Sequence, residues 1–522
     1  MPAAPVSAGI TALREQDPLR VLARDARGRF APRATQRGTQ PPAHALPVLF
    51  VVSEMADFIK AGGLGDVAAA LPRALRPGAD VRVLIPGYPE VLRRVRCMSI
   101  VGRVPAQADL PECRIGLTHL YDGLPVYVLL NAALFERSGS PYVDGSGAEW
   151  DDNAVRFATF AHAAARIAAG DCGLPWQPRL LHLHDWPSAM AAAYVRWRGG
   201  DTPSVLTIHN LAYQGVFARN VATAIGVPPA HLHEMEFHGR LSFLRAGIVN
   251  ATRINTVSES YAAQIVQPEE GCGLDGLLAR RAAQGHLSGI VNGIDDSWDP
   301  ARDLALPVRF SAVRCENRHF NTRHVRGEFG LPDNGGPLFA VVSRLVHQKG
   351  LDITCEVAPQ IVAAGGQIVI IGGGDPQVEA QVAALVRRYP GSVGAFIGFE
   401  EALARRMFAG ADFLLMPSRF EPCGLSQMYA QRFGCLPVAH ATGGLIDTVD
   451  DGVTGFLFEG ATADGLRRCL QRAIRTFRNP MLMQAMRRAA MLRPGGWGQA
   501  GQQYQALYRQ AAGVAAVRGL SA

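Results

Sequence analysis

The sequence has no stretch approaching about 18 uninterrupted apolar residues, the length a bilayer-spanning helix requires. Its Ala-rich opening also lacks the compact apolar core of a secretory signal. The nine cysteines, at 97, 113, 172, 272, 315, 355, 423, 435 and 469, form no Cys-x-x-Cys pair and no zinc-like cluster. An odd number spread this widely is no disulfide framework and points to a reducing compartment. Charged residues make up only 19% of the chain against 48% hydrophobic, and mean hydropathy is +0.06, which excludes a wholly disordered or fibrous chain. The 56 glycines and 34 prolines follow no three-residue period, so collagen-like structure is excluded and many tight turns are indicated. The expectation is a soluble cytoplasmic protein with no membrane partner.

What is present is length and basic charge. A chain of 522 residues exceeds one ordinary core and suits two domains of roughly 200 to 250 residues with shorter attachments. The net charge of +7 and a pI near 9.0 favour encounter with anionic partners without choosing among them. Residues 1–47 hold seven Arg and three acidic residues and no sustained apolar face. They read as a basic, disordered extension, with loose polyanion binding and an organelle-targeting role as alternatives. Repeated aromatics, zinc spacing and heptads are missing there, so no specific nucleic-acid module is indicated.

From about Leu46 the pattern changes. "LPVLFVVSE", "ADVRVLIP", "LPVYVLL", "PRLLHLHDW", "TPSVLTIHN" and "ATRINTVS" are short, nearly continuous apolar runs of the kind buried on both faces of a parallel sheet, separated by helix-capable stretches. After Gly293 the pattern repeats in "GPLFAVVSRL", "GGQIVIIGGG", "VGAFIGF", "ADFLLMPS", "GCLPVAHA" and "TGFLFEG". The reading is α/β throughout: a first Rossmann-like domain at 48–290, a connection at 291–335 rich in turn residues, a second Rossmann-like domain at 336–480, and a helical tail at 481–522 that can pack back on the first. Two facing parallel sheets place a cleft between their strand carboxyl ends, where such sheets bind ligands.

The polar motifs fall at those ends. In "SEMADFIKAGGLGDVAAALP" a strand leads through Lys60, Gly62, Gly63 and Gly65 into a helix, so loop amides and a mobile cation can meet a phosphate, although the spacing is neither G-x-G-x-x-G nor a Walker loop. Asp152 and Asn153, then His182, His184 and Asp185, then His209 and Asn210, are hydroxyl-recognition groups, and Trp186 or Tyr213 can stack on a sugar face. For the paired histidines, substrate contact, structural hydrogen bonding and metal binding are all open, since strand alternation puts His182 and His184 on one side but supplies no third metal ligand. Arg344 and Lys349 follow a buried strand of the second unit and suit one diphosphate. Gly372 and Gly373, Gly424 and Leu425, and Thr442, Gly443 and Gly444 offer further amides. Glu421 can contact sugar hydroxyls, and Cys423 reads as a neutral packing residue.

The assembled motifs "KAGGLGDV", "HLHDW", "TIHNLAYQG", "VNGIDDSWDP", "SRLVHQKG", "SRFEPCGLSQ" and "ATGGLIDTV", in this order over residues 48 to 510, resemble the bacterial and plastid-type glycogen/starch synthases, retaining glycosyltransferases of the two-domain GT-B type. The resemblance implies transfer of glucose from ADP-glucose to the nonreducing 4-hydroxyl of an α-1,4-glucan, with no cofactor and no metal. It implies donor recognition by Lys60, diphosphate contact by Arg344 and Lys349, recognition of the transferred glucose by Glu421, and His184 beside the reaction centre. Asp152 and Asn210 join that pocket, and Asn292 and Asp295 shape it. It implies a front-face reaction rather than a carboxylate double displacement. The sequence departs from the family in its long extension, in His440 and Ala441 before "TGGL", and in the Arg-rich "CENRHFNTRHVR" at 315–326. Rival readings are a UDP-glucose or small-sugar transferase of the same class, an α-glucan phosphorylase, an NAD-dependent oxidoreductase and a noncatalytic polyanion binder.

Overall fold

The computed structural model describes residues 45–513, together with the backbone of two short paired strands, Ala23–Arg24 and Phe30–Ala31. Most of the basic extension at 1–47 lies outside the described residues. The first unit is built on a nine-stranded sheet in the order Leu287–Gly289, Arg253–Thr256, Ser204–Ile208, Leu180–His184, Leu46–Val51, Ala79–Pro86, Pro125–Leu130, Cys113–His119 and Ser99–Val104. Eight of these strands run in one direction; only Cys113–His119 is reversed, antiparallel to both its neighbours. The central strands are apolar because helices cover both faces, and every residue of Leu180–His184 and Ser204–Ile208 is buried.

The second unit carries a six-stranded, wholly parallel sheet in the order Val393–Ile397, Gln367–Gly372, Leu338–Val342, Phe413–Met416, Leu436–His440 and Phe456–Phe458. Alternation along its strands separates two cores. Ala340, Val342, Val369 and Ile371 face one layer of helices, while Phe339, Val341, Ile368 and Ile370 face the other.

In both sheets the chain order reverses near the middle, between Leu46–Val51 and Leu180–His184 in the first and between Leu338–Val342 and Phe413–Met416 in the second. Loops leaving the carboxyl ends of adjacent strands diverge at such a point and open a crevice. The chain passes between the units twice. The two crossings lie side by side, with the Ile294 amide donating to Gly495 O at 2.7 Å and a parallel bridge joining Ile294 to Gly496. A Cβ on Gly293 would stand 2.6 Å from the Trp497 amide nitrogen, so this close approach requires glycine.

Past the second crossing, helix Trp497–Ala511 returns to the first unit and inserts Ala500, Tyr504, Leu507, Tyr508 and Ala511 into its core, at the spacing of one helix face. The preceding helix, Pro480–Leu492, keeps its apolar residues Met483, Met486, Ala490 and Met491 in the cores of the second unit. The described part of the expected tail at 481–522 is thus divided between the two units, and residues 514–522 lie outside the described residues.

Candidate active site

On the first unit, the strand Leu46–Val51 runs into Ser53 and Glu54, both buried. Glu54 organises the glycine loop. Its Oε2 accepts the amides of Ala61 at 2.5 Å and Gly62 at 2.9 Å, and Tyr142 donates to its Oε1 at 3.2 Å. Burial raises the Glu54 carboxyl above the usual range, against the pull of these donors. The Gly62 amide is therefore committed to Glu54 rather than offered to a ligand. Gly63 and Gly65 open the helix Gly63–Leu75. Lys60 pairs with Asp66 at 2.8 Å and holds its ammonium 5.9 Å over the ring of Phe399, a residue of the second unit that is 65% exposed.

At the neighbouring strand ends three histidines are packed together. The rings of His182 and His184 are 4.1 Å apart, and those of His184 and His209 are 5.2 Å apart. His182 uses both ring nitrogens, with Tyr508 at 2.7 Å and Thr207 at 2.8 Å. That leaves it no lone pair for a metal, and of the three readings hydrogen bonding describes it. His184 Nδ1 meets His209 Nε2 at 2.9 Å, and its Nε2 is buried without a partner among the described residues. Burial holds His182 and His184 well below the usual imidazole range and His209 at about 3, so all three are neutral.

Asp185 follows with φ +53°, a left-handed conformation that costs a non-glycine residue about 1–3 kcal/mol. What holds it there is its carboxylate, which accepts the amides of His209 at 2.6 Å and Asn210 at 3.4 Å and so ties two strand ends together. Burial pushes this carboxyl up to about 7. Asn210 turns its own Oδ1 to the amide of Ala212.

Asp152 lies further out. It forms a two-pronged pair with Arg137 at 2.8 and 2.7 Å before the helix Asn153–Ala169, and Asn153 is buried, bonded to Tyr142 O and Arg156. Trp186 is enclosed by Tyr142, Phe157, Phe217 and Phe243, whereas Tyr213 is exposed. Of the two stacking candidates, Tyr213 is the more exposed and Trp186 is half-buried.

On the second unit, Arg344 and Lys349 lie beyond strand Leu338–Val342, and Glu421 lies beyond Phe413–Met416, at that sheet's point of reversal. The Lys349 ammonium contacts Glu421 Oε2 at 2.6 Å, and Ser418 donates to the same oxygen at 3.0 Å. Both partners are largely buried, so removing either would strand the other at a cost of about 3–5 kcal/mol. Arg344 is exposed and makes no ion pair among the described residues. Lys60 and Lys349 are the only lysines in the sequence, where 50 of the 52 basic residues are arginine.

The remaining glycines act mostly through close backbone packing. A Cβ on Gly372 would stand 2.0 Å from Ser343 O, and one on Gly443, at φ +45°, 2.1 Å from Glu421 O. The Gly443 amide donates to Gln264 of the first unit at 3.0 Å and the Gly444 amide to Glu421 O at 3.0 Å. Both amides are bonded within the protein, so the loop of Thr442, Gly443 and Gly444 braces the Glu421 loop. Gly373 continues the turn beyond Gly372, with its carbonyl accepting the Leu345 amide, and Gly424 takes φ +69° before Leu425 and the short helix Ser426–Arg432. Burial pushes the Cys423 thiol up to about 12, so it is neutral. Asn292 is buried beside it, while Asp295 is exposed and accepts the Ser297 amide.

The walls meet through direct bonds. Ser258 donates to Pro422 O at 2.5 Å, and Ser260 bonds Asp447 through its hydroxyl and its amide. Sequence reasoning missed Glu54, Tyr142, Gln264 and Phe399. For Phe399 alone there was a signal, an aromatic at the carboxyl end of the run "VGAFIGF".

Comparison with known proteins agrees with this geometry. Residues 47–280 match the starch synthase catalytic domain and residues 336–476 the glycosyl transferases group 1. A glycogen synthase of Xanthomonas euvesicatoria pv. vesicatoria (strain 85-10) is 68% identical over 492 residues, covering 94% of this chain and 96% of that protein. One from Xanthomonas campestris pv. campestris (strain 8004) is 70% identical over 467 residues, covering 90% and 98%. The solved catalytic domain of Starch Synthase IV from Arabidopsis thaliana, bound to ADP and acarbose, superposes with a TM-score of 0.79 at 29% identity, covering 90% of this chain and all of that one. Two Rossmann-like units facing across a cleft, with the family's motifs on both walls, place this chain in the glycogen synthase family of GT-B glycosyltransferases.

Proposed function

We propose that the protein transfers glucose from ADP-glucose to the nonreducing 4-hydroxyl of an α-1,4-glucan, with retention at the anomeric carbon and release of ADP. The observation that carries this reading is the Lys349–Glu421 pair at the second sheet's point of reversal, with Arg344, which makes no ion pair among the described residues, following the same strand as Lys349. Arg344 and Lys349 bind the diphosphate and stabilise the charge that grows on it as the sugar departs. Lys60 reaches the donor from the opposite wall, and Phe399 offers an aromatic face to the adenine. Glu421, fixed by Lys349 and Ser418, accepts hydroxyls of the transferred glucose. Gly372, Gly373, Gly424, Leu425, Thr442, Gly443 and Gly444 shape the donor loops, and Gly62, Gly63 and Gly65 shape the loop that carries Lys60.

His184 orients the sugars together with Asn210, and Asp152, held further out by Arg137, joins them. In the reaction the bond from the anomeric carbon to the β-phosphate oxygen breaks while the bond to the acceptor 4-oxygen forms on the same face. The 4-hydroxyl proton passes to the departing phosphate. No enzyme carboxylate acts as nucleophile.

Among the described residues no helix is long and apolar enough to cross a membrane, and a cytoplasmic location follows the chemistry of a nucleotide-sugar donor. Turnover of ADP-glucose and UDP-glucose, measured side by side with glycogen and with small-sugar acceptors, tests the assignment. Glucan elongation with the adenine donor is expected, and transfer confined to small sugars overturns it. Undiminished turnover by Arg344→Ala and Lys349→Ala would refute the leaving-group clamp.

A further inference from the structure

A buried hydrogen-bond chain crosses beneath the histidine cluster. Tyr508 Oη lies 2.7 Å from His182 Nδ1, and His182 Nε2 lies 2.8 Å from Thr207 Oγ1. Thr207 in turn bonds Tyr504, Asn255 Nδ2 donates to Tyr504 Oη at 3.1 Å, and Ser288 donates to Asn255 Oδ1 at 3.0 Å. His182, Thr207, Asn255 and Ser288 stand on four adjacent strands of the first sheet, and both tyrosines belong to the returning helix Trp497–Ala511. His182, Thr207, Asn255, Tyr504 and Tyr508 are essentially inaccessible to solvent.

Apolar residues alone would fasten that helix. Buried polar groups add little net stability when satisfied and are costly when unpaired, so a chain of them specifies one seating of the helix rather than a tighter one. The two tyrosines differ in what they reach. The Tyr504 hydroxyl bonds Thr207 and Asn255 and reaches His182 only through Thr207, while its ring packs on His182 at 5.4 Å, a contact that Tyr504→Phe keeps. Tyr508 bonds His182, whose ring packs against His184 at 4.1 Å, and among the described residues His184 has one ring hydrogen bond, to His209. The placement of the His184 ring is thus set by packing against His182 and Phe50 and by that single bond.

We propose that Tyr508 is a positioning residue for the acceptor wall: its hydroxyl fixes the orientation of His182, and the His182 ring fixes where His184 stands. The helix that follows the second interdomain crossing is then part of the reaction centre's support. This inference rests on the reading that His184 lies beside the reacting sugar.

Kinetics and thermal unfolding of Tyr508→Phe, Tyr504→Phe and His184→Ala in the full chain test it. Both tyrosine variants should lose a similar amount of thermal stability, because each leaves buried partners unsatisfied. Only Tyr508→Phe should lower kcat, by about tenfold to a hundredfold as expected for a small misplacement of a reacting group, with KM for ADP-glucose unchanged. On a His184→Ala background, Tyr508→Phe should cause no further loss of kcat.

A kcat for Tyr508→Phe no lower than for Tyr504→Phe overturns the proposal, as does an undiminished effect on the His184→Ala background. Full activity in His184→Ala by itself overturns the reading of the site instead. Should Tyr508→Phe fail to accumulate, His182→Gln keeps hydrogen-bonding atoms but removes the ring against His184. It should show the same fall in kcat, and an unchanged kcat there overturns the proposal.

Discussion

On the first unit's wall, His182, His184 and His209 are neutral, and the carboxyls of Asp185 and Glu54 are raised by burial. On the second unit's wall, Lys349 and Glu421 form a largely buried ion pair, and Arg344 is exposed and without an ion pair among the described residues. At the two points of reversal the same α/β architecture carries different electrostatics, the charge on the first wall lying away from the histidines in Lys60–Asp66 and Arg137–Asp152. Neutral donors and acceptors can grip sugar hydroxyls without the desolvation cost of charge, whereas a departing diphosphate calls for fixed positive charge. A donor that is half sugar and half diphosphate spans the two.

The largest effect should come from breaking the charged wall. Lys349→Ala is expected to lower kcat with ADP-glucose by about a hundredfold to a thousandfold, the scale of losing one preorganised stabiliser of transition-state charge. Adding Glu421→Ala should cost less than the product of the single losses, because the two groups act as a unit. Steady-state kinetics of the double-mutant cycle measures this, and full additivity would mean that the pair is not functionally joined.

Next in size is Glu54→Ala on the neutral wall. It leaves the Ala61 and Gly62 amides without their acceptor and should cost about 1–3 kcal/mol of stability. It should also raise KM for ADP-glucose more than it lowers kcat, because the loop that carries Lys60 is freed. Denaturant titration and initial-rate kinetics read the two effects separately.

A smaller effect concerns pH. The buried histidines have folded values below 6.5, with His209 near 3 and His162 near 4. The unfolded chain therefore takes up protons that the folded chain refuses. Their contribution to stability is present above about pH 6.5 and is lost as pH falls, at up to about 1.4 kcal/mol per histidine per pH unit. Asp185, raised to about 7, and the carboxyls of Glu54, Asp66 and Glu270, also raised by burial, work in the opposite sense and offset part of this loss. The melting temperature should therefore fall between pH 7 and 5, and a flat profile would show that these imidazoles are charged or solvated.

The mildest perturbation is chemical. An amine-directed reagent has only Lys60 and Lys349 as side-chain targets. Peptide mapping should find Lys60, the more exposed of the two, modified first, and ADP should slow labelling at both.

The alternating apolar runs made both sheets legible in the sequence, because strands covered on both faces have few other compositions. Lys60, Arg344, Lys349 and Glu421 were legible because each follows such a run. The glycines were recognisable, but the reason for several of them was not. Gly372 and Gly443 are required by a carbonyl about 2 Å from where a Cβ would stand, and that carbonyl belongs to a segment distant in the chain. Glu54 was illegible, since an acid in "SEMAD" reads as a surface residue until the fold brings Ala61, Gly62 and Tyr142 around it. Tyr504 and Tyr508 read as one apolar helix face because their hydroxyl partners lie some 250 to 330 residues earlier.

The paired interdomain crossings carry one more consequence. A single connecting strand lets two bodies swivel about every axis. Two strands tied together by the Ile294–Gly495 bond and the bridge to Gly496 resist twisting and permit bending. The approach of the two units is thereby reduced to something close to a door's swing, and each closure brings the same residues of the two walls back into register.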